Sequence, residues 1–324
     1  KALLCYGSEA EFKPLNEKEL NEKASGTNLE SELYRHILGM LHDPVNQQEI
    51  RKEYPDPVIK RRNTGYAIDL LLDCKPFTPT GPDFNFSRLL AGSEGTLAFF
   101  TEIKLNLVDL PPKEKALVCM HCNTLDEAFK ANLVALKHKP VAVELMDEVI
   151  IKQTENNIEQ RKNRFFIQGN PAAILIIEFA CHSIEVLNAR IRELEHAMRS
   201  ENYGYHFPVI RGKDISRVWA LRKAGLGLLS NIPGDAKPVA VIEDTAVNPA
   251  LLPDYMNEFQ QMLQRLDLSC VYYAHIATGE LHLRPVLNLK DPADVELYRK
   301  VAHETALLVK KYKGSLSGEH GDGR

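Results

Sequence analysis

Apolar residues recur at helical spacing along the second half of the chain. Val295, Leu297, Val301, Ala302, Ala306, Leu308 and Val309 fall near a 3.6-residue period and predict a helix over Pro292–Lys311. Similar patterns predict helices over Leu125–Lys137, Ile184–Ser200, 215–229 and 249–266. Between them, apolar or alternating runs predict strands at 116–122, 141–145, 173–179, 239–243, 269–275 and 281–287. The mixture predicts an α+β domain in which helices cover a sheet.

The first third reads differently. Residues 11–62 are polar and predict helix or irregular chain. A turn signal at Asn63-Thr64-Gly65 leads into an apolar stretch, and three prolines within 75–83 predict a loop. From Thr101 polar residues alternate with Ile103, Leu105 and Leu107, which predicts a half-buried strand. Leu110-Pro-Pro-Lys-Glu-Lys115 is the best linker candidate, because two prolines stiffen the exit from that strand. The expected division is 1–110 and 111–324.

Composition narrows the function classes. The 324 residues are 44% hydrophobic and 26% charged, ordinary for a globular chain and unlike a disordered or collagen-like one. The formal net charge of −4 argues against a general nucleic-acid binder, which needs an excess of Lys and Arg. No apolar run reaches the roughly 18 residues of a spanning helix. Six cysteines are too sparse for a disulfide scaffold and suit a reducing, cytoplasmic compartment. Cys119-Met-His-Cys122 has a redox or zinc spacing, but a strand there points the two thiols to opposite faces. The chain opens on Lys1 and ends in a glycine-rich stretch, so a fragment of a longer polypeptide is expected.

Four stretches carry candidate chemistry. In Gly92-Ser93-Glu94-Gly95-Thr96, two glycines allow positive φ and close backbone approach, and the hydroxyls add donors. The turn suits a phosphate or a flavin edge, although the spacing is also that of a plain tight turn. Thr278-Gly279 is a two-residue turn candidate between two strands. With that turn, His275 lies opposite His282 on one face, about 5 Å apart at Cβ. Such a pair either binds one divalent ion or forms two hydrogen-bonded sheet histidines. Arg284 lies on the same face and offers a guanidinium to a carboxylate. Gly314-Ser-Leu-Ser-Gly-Glu319-His320-Gly-Asp-Gly-Arg324 has four glycines in eleven residues. There Glu319 is a candidate third ligand and His320 a base near neutral pH. Trp219-Ala-Leu-Arg222 sets an aromatic one helical turn from an arginine, which is either an anion site or a surface pair.

Taken together, these stretches resemble the FAD-linked oxidases of the vanillyl-alcohol oxidase / para-cresol methylhydroxylase type. The likeness is to the D-2-hydroxyacid dehydrogenase branch, which includes D-lactate dehydrogenase, the glycolate oxidase flavin subunit and D-2-hydroxyglutarate dehydrogenase. The resemblance rests on Asn63-Thr-Gly-Tyr66, Leu89-Leu-Ala-Gly-Ser-Glu-Gly-Thr-Leu97, Trp-x-Leu-Arg, His-x6-His and Glu-His-Gly-x-Gly, in that order. It covers residues 55–324 and is similar to long bacterial members fused to an iron–sulfur region. It implies the C-terminal part of a PCMH-type FAD-binding domain over 1–110. A ferredoxin-like, largely antiparallel cap domain covered by helices would follow over 111–324.

The resemblance also implies roles. Asn63, Thr64, Gly65 and Gly92 to Thr96 would contact FAD. His275, His282 and Glu319 would hold a zinc, manganese or iron ion, His320 would act as base, and Arg222, helped by Arg284, would bind the substrate carboxylate. The implied reaction oxidises a D-2-hydroxy acid to the 2-oxo acid by hydride transfer to flavin N5. Electrons would pass to an iron–sulfur region beyond Arg324 or to a quinone chain, with peripheral membrane association and a homodimer in keeping with the branch. The fragment alone is expected to be inactive.

There are departures from the pattern. The family usually shows His-x-Gly-Asp-Gly-Asn-x-His, and here Ala277, Thr278 and Glu280 replace the usual residues. Arg284 stands where Asn is frequent, and Ile242 lies near the place of a second substrate-binding cation. The rival readings are a metal-dependent hydrolase using His275, His282 and Glu319, and a non-catalytic binding module.

Overall fold

A computed structural model describes residues 1–321, apart from the side chain of Leu226. The last three residues of the glycine-rich stretch, 322–324, lie outside the described residues. The chain divides into two compact units. Among the described residues one comprises Lys1–Pro55, Asn63–Val108 and 319–321, and the other Asp56–Arg62 and Asp109–Gly318.

The first unit contains β1 (Ala2–Leu3), β2 (Glu9–Ala10), α1 (Glu17–Ser25), α2 (Leu29–His42), α3 (Pro44–Glu53), α4 (Asp69–Leu72), α5 (Ser87–Leu90) and β3 (Phe99–Phe100). Its small sheet has the order β2-β1-β3. The helices start where side chains satisfy the first N–H groups. Asn16 and Glu19 form a capping box on α1, and Asp43 caps α3 ahead of Pro44. Tyr34, Phe84 and Phe86 cluster with Leu41, Leu71 and Leu72 in its core.

The half-buried strand expected from Thr101 does not form. Thr101 N–H bonds to Lys1 O, but the chain beyond it joins no sheet among the described residues. Ile103, Leu105 and Leu107 are exposed, Leu107 by 88%. Alternation records a capacity to bury one face, and a strand also requires a neighbour to pair with.

The second unit is a mostly antiparallel sheet with helices on it. Its elements are β4 (Glu114–Cys122), α6 (Leu125–Lys137), β5 (Ala142–Asp147), α7 (Glu148–Gln153), α8 (Ile158–Arg161), β6 (Ala173–Cys181), α9 (Ile184–Ser200), β7 (Val209–Arg211) and α10 (Asp214–Leu228). They continue with β8 (Lys237–Pro238), β9 (Ile242–Ala246), α11 (Leu252–Arg265), β10 (Cys270–His275), β11 (Glu280–Leu287) and α12 (Pro292–Lys311). The sheet order is β7-β4-β6-β5-β10-β11-β8, with β9 also bonded to β11. Thr124 with Glu127, Ser183 and Asp291 cap α6, α9 and α12, which fixes three starts at the predicted residues.

Two other boundaries move. Of the strand expected over 239–243 only Ile242 and Glu243 are strand, at the start of β9, and 239–241 lie outside both β9 and the two-residue β8. The helix expected from 249 begins as a 3-10 turn over Pro249–Leu251 before α11 takes over.

Alternation along the strands gives the two faces different chemistry. Val143, Leu145, Leu175, Ile177, Ala274, Leu281 and Leu283 join the larger core with residues of α6, α9, α11 and α12. The opposite face carries a smaller core that includes Cys119, Met146, Ile174, Ile176, Val218 and Leu221. Cys119 and Cys122 belong to different cores, as the strand reading predicts, and all six cysteines are free.

Candidate functional site

The polar row sits on that second face, on β5, β10, β11 and β9. Period-2 geometry puts Glu144, Tyr273, His275, Glu280, His282, Arg284 and Glu243 there. The β10–β11 register differs from the expected one. His275 pairs with Glu280, Tyr273 with His282 and Val271 with Arg284. The connection is a 3-10 turn over Ile276–Thr278 closed by left-handed Gly279, so it is longer than the two-residue turn expected at Thr278-Gly279. The slip is by two residues, which preserves the face. His275 and His282 are therefore diagonal neighbours, with ring centroids 5.2 Å apart.

Both imidazoles are held from behind. His275 Nδ1 lies 2.8 Å from Glu144 Oε1. His282 Nδ1–H donates to the main-chain oxygen of Glu243. Carboxylate and carbonyl oxygens accept, so each Nδ1 carries a proton, and in the neutral ring the lone pair is then on Nε2, the arrangement a metal-binding histidine needs. The hydrogen bond to Glu144 raises the pKa of His275 above the usual imidazole value, and burial opposes it. His282 also stacks on Tyr273, with ring centroids 4.6 Å apart.

Two arginines flank the histidines. Arg222 on α10 donates from Nη2 to Glu144 Oε2 at 3.0 Å, and its guanidinium lies 5.2 Å from the Tyr273 ring centroid. Its Nε is buried and meets no acceptor among the described residues. Arg284 donates from Nε to Tyr273 Oη at 3.1 Å and from Nη2 to Glu243. Glu144, Tyr273, Glu243 and Glu280 escaped the sequence reading. Only the parity of β10 and β11 could have flagged Tyr273 and Glu280. Glu144 lies 131 residues from His275 and is reached only through the pairing of β5 with β10.

The donor chemistry suits a divalent ion. One ligand atom each from His275, Glu280 and His282 lies within 4.8 Å of the others. Two imidazole nitrogens with a carboxylate fit zinc, manganese or iron(II).

The first unit gathers the glycine-rich residues. Gly92, Glu94 and Gly95 all have positive φ. Thr96 Oγ1 bonds to Ser93 O at 2.6 Å, and Tyr66 Oη lies 2.8 Å from Thr96 Oγ1. Ser93 is buried, and its Oγ meets no partner among the described residues, which fits a turn shaped around a ligand atom. Asn63 Nδ2 donates to Glu319 O at 3.4 Å, and a Cβ on Gly321 would meet Glu94 Oε1 at 2.0 Å. Thus Asn63, Glu94, Glu319 and Gly321 are neighbours within this unit, while Thr64 and Gly65 are exposed. His320 Nε2 lies 3.9 Å from Glu319 Oε1.

Comparison with known proteins gives a consistent family. Residues 111–324 match the family model described as "FAD linked oxidases, C-terminal domain". D-2-hydroxyglutarate dehydrogenase of Haemophilus influenzae is 31% identical over 334 aligned positions, covering 100% of this chain and 32% of that protein. The Escherichia coli K12 protein of the same name is 32% identical, covering 82% of this chain and 27% of that protein. Mitochondrial D-lactate dehydrogenase [cytochrome] of Arabidopsis thaliana is 27% identical over 74% of this chain and 41% of that protein. The chain thus spans about a third of the length of the first two relatives. Among solved structures, 4-ethylphenol oxidase from Gulosibacter chungangensis matches with a TM-score of 0.47 at 11% identity, over 74% of this chain and 51% of that one.

Proposed function

The chain belongs to the FAD linked oxidases, whose C-terminal domain it carries, and on that premise we propose that it serves the oxidation of a D-2-hydroxy acid to a 2-oxo acid. The substrate class is that of D-2-hydroxyglutarate, D-lactate or glycolate. Residues 111–324 form the substrate-binding domain in this reading, and 1–110 the second half of an FAD-binding domain.

One observation carries the reading. The two oxygens of Glu144 hold Arg222 and His275 side by side, and the buried Nε of Arg222 meets no acceptor among the described residues. A 2-hydroxy acid has its carboxylate and hydroxyl on adjacent carbons, so it can engage a guanidinium and a His-bound cation together. Arg222 binds the carboxylate and is held in orientation by Glu144. Arg284, braced by Glu243 and Tyr273, supplies further positive charge. His275 and His282 present Nε2 to a divalent ion, with Glu319 as the further ligand that the resemblance implies. When bound there, such an ion would polarise the substrate hydroxyl and lower its pKa. His320 takes the hydroxyl proton. FAD, contacted by Asn63 to Gly65 and Gly92 to Thr96, supplies the hydride-accepting chemistry. The electrons would then go to an iron–sulfur or quinone-type acceptor.

The test is a screen of D- and L-2-hydroxy acids with FAD, a divalent metal and a dye acceptor, on this chain and on any longer polypeptide that carries it. Dye reduction specific to D-2-hydroxy acids is expected. Hydrolysis of ester or phosphate substrates without flavin would favour the hydrolase instead. No helix among the described residues is long and apolar enough to cross a membrane.

A further inference from the structure

We infer that Glu280 is itself a metal ligand, so that one hairpin supplies a His-Glu-His donor set through His275, Glu280 and His282. The inference rests on the metal-assisted reading above and deepens it. It assigns a donor at the position where the family pattern usually has an uncharged Asn.

The register places Glu280 directly across from His275, and its side chain is 0% exposed. Full burial of an ionised carboxylate costs several kcal/mol unless charge compensates it. Arg61 offers one compensating charge, with Nε 3.3 Å from Glu280 Oε2. Oε1 lies 3.9 Å from His282 Nε2. That separation is too long for a hydrogen bond. With Nδ1 donating to Glu243 O, a neutral His282 keeps its lone pair on Nε2, the atom 3.9 Å from that carboxylate oxygen. A cation shared by these two atoms fits the spacing, because two metal–ligand bonds of about 2.1 Å each span a gap of that size.

The surroundings hold Glu280 in place. A Cβ on Gly318 would approach Glu280 Cδ to 3.0 Å, so the backbone of residue 318 closes over the carboxyl. Asp244 anchors that backbone by accepting from Gly318 N at 3.0 Å and from Ser317 Oγ at 2.6 Å. A carboxylate here adds one negative charge to the site. The preferred occupant is therefore a divalent ion that takes mixed imidazole and carboxylate ligands.

The experiment titrates the full chain, stripped with a chelator, with cobalt(II), following visible absorption and equilibrium dialysis against zinc. The expected result is one ion per chain for the wild type, affinity at least ten-fold weaker in Glu280→Gln, and near wild-type affinity in Arg61→Gln. Glu280→Cys should bring a thiolate-to-cobalt charge-transfer band in the near ultraviolet that the wild type lacks. This signature requires direct coordination, and folding of each variant is checked by circular dichroism. If Glu280→Gln binds cobalt as tightly as the wild type and Glu280→Cys shows no new band, Glu280 is only the partner of Arg61 and the inference is overturned, while the metal reading stands. If the wild type binds no cobalt, the metal reading fails and takes this inference with it.

Discussion

Glu144 Oε1 lies 2.8 Å from His275 Nδ1, across the junction of β5 with β10. Its second oxygen accepts from Arg222 at 3.0 Å, so one carboxylate orients a ligand and a cation. Removing it as Glu144→Ala leaves two partly buried cationic or polar groups without their acceptor, and about 3 kcal/mol of stability should be lost. Glu144→Gln keeps the shape but offers one accepting oxygen where two are needed. Metal affinity should then fall roughly 10- to 100-fold, the usual cost of losing a carboxylate behind a ligating histidine. Urea unfolding measures the first effect and cobalt dialysis the second. Unchanged cobalt affinity in Glu144→Gln would show that His275 needs no support from behind.

The hairpin that carries the histidines depends on Gly279. Its φ is +74°, and a Cβ there would come within 1.9 Å of Val247 O. Neither the left-handed backbone nor the contact can be relieved by a side-chain rotation, because the neighbour is main chain. Gly279→Ala should cost roughly 2–4 kcal/mol by urea unfolding. A loss under half a kcal/mol would mean that the turn has another conformation.

His121 supplies a pH dependence away from the site. It is fully buried on β4, with Nδ1 at 2.9 Å from Cys119 O and Nε2 accepting from Gln168 N at 3.2 Å. Burial pushes its pKa down to about 4 from an ordinary 6.5. A folded-state value below the unfolded one means that the fold binds the neutral ring. The stability is complete above pH 6.5 and is lost as the pH falls toward 4, by up to ~3 kcal/mol. Protonation also sets a new Nε2–H against the Gln168 N–H. The ring should show no NMR titration above pH 5, and His121→Gln should flatten the acid limb of stability against pH by about one proton. Titration of His121 near pH 6.5 would contradict this.

Much of the second unit is legible in the sequence, for physical reasons that also mark where legibility stops. The helices Leu125–Lys137, Ile184–Ser200 and Pro292–Lys311 combine an apolar stripe with a capping side chain, so pattern and punctuation agree on both bounds. The placing of His275 and His282 on one face survives an incorrect register, although they are diagonal rather than paired, because parity, not turn length, decides the face. The turn itself is ambiguous, since Thr278-Gly279 suits both a two-residue turn and the end of the 3-10 turn found. Glu144 is a different case: nothing local connects it to His275, and only sheet order does. Residues 101–107 show the converse, an alternation with no strand beside it among the described residues.

Arg284 tests whether a site arginine serves the fold, the substrate or both. It ties Tyr273 Oη to the Glu243 carboxylate, and Glu243 in turn holds His282 through its main-chain oxygen. Both side chains are largely buried, at 13% and 7% exposure. Arg284→Met leaves the Glu243 carboxylate buried without its guanidinium, and about 3–5 kcal/mol should be lost. Pairing it with Glu243→Leu removes the stranded charge and should restore most of that loss, because apolar replacements of a buried ion pair are frequently neutral. Stability and substrate binding then separate. If Arg284 only braces the sheet, the double variant recovers KM for the hydroxy acid along with its unfolding free energy. If it also draws the substrate carboxylate, as proposed, the double variant unfolds like the wild type while KM stays raised at least ten-fold and kcat changes less. Urea unfolding and steady-state kinetics on the same preparations decide between the two. A full recovery of KM would leave Arg222 as the sole carboxylate-binding arginine of the proposal.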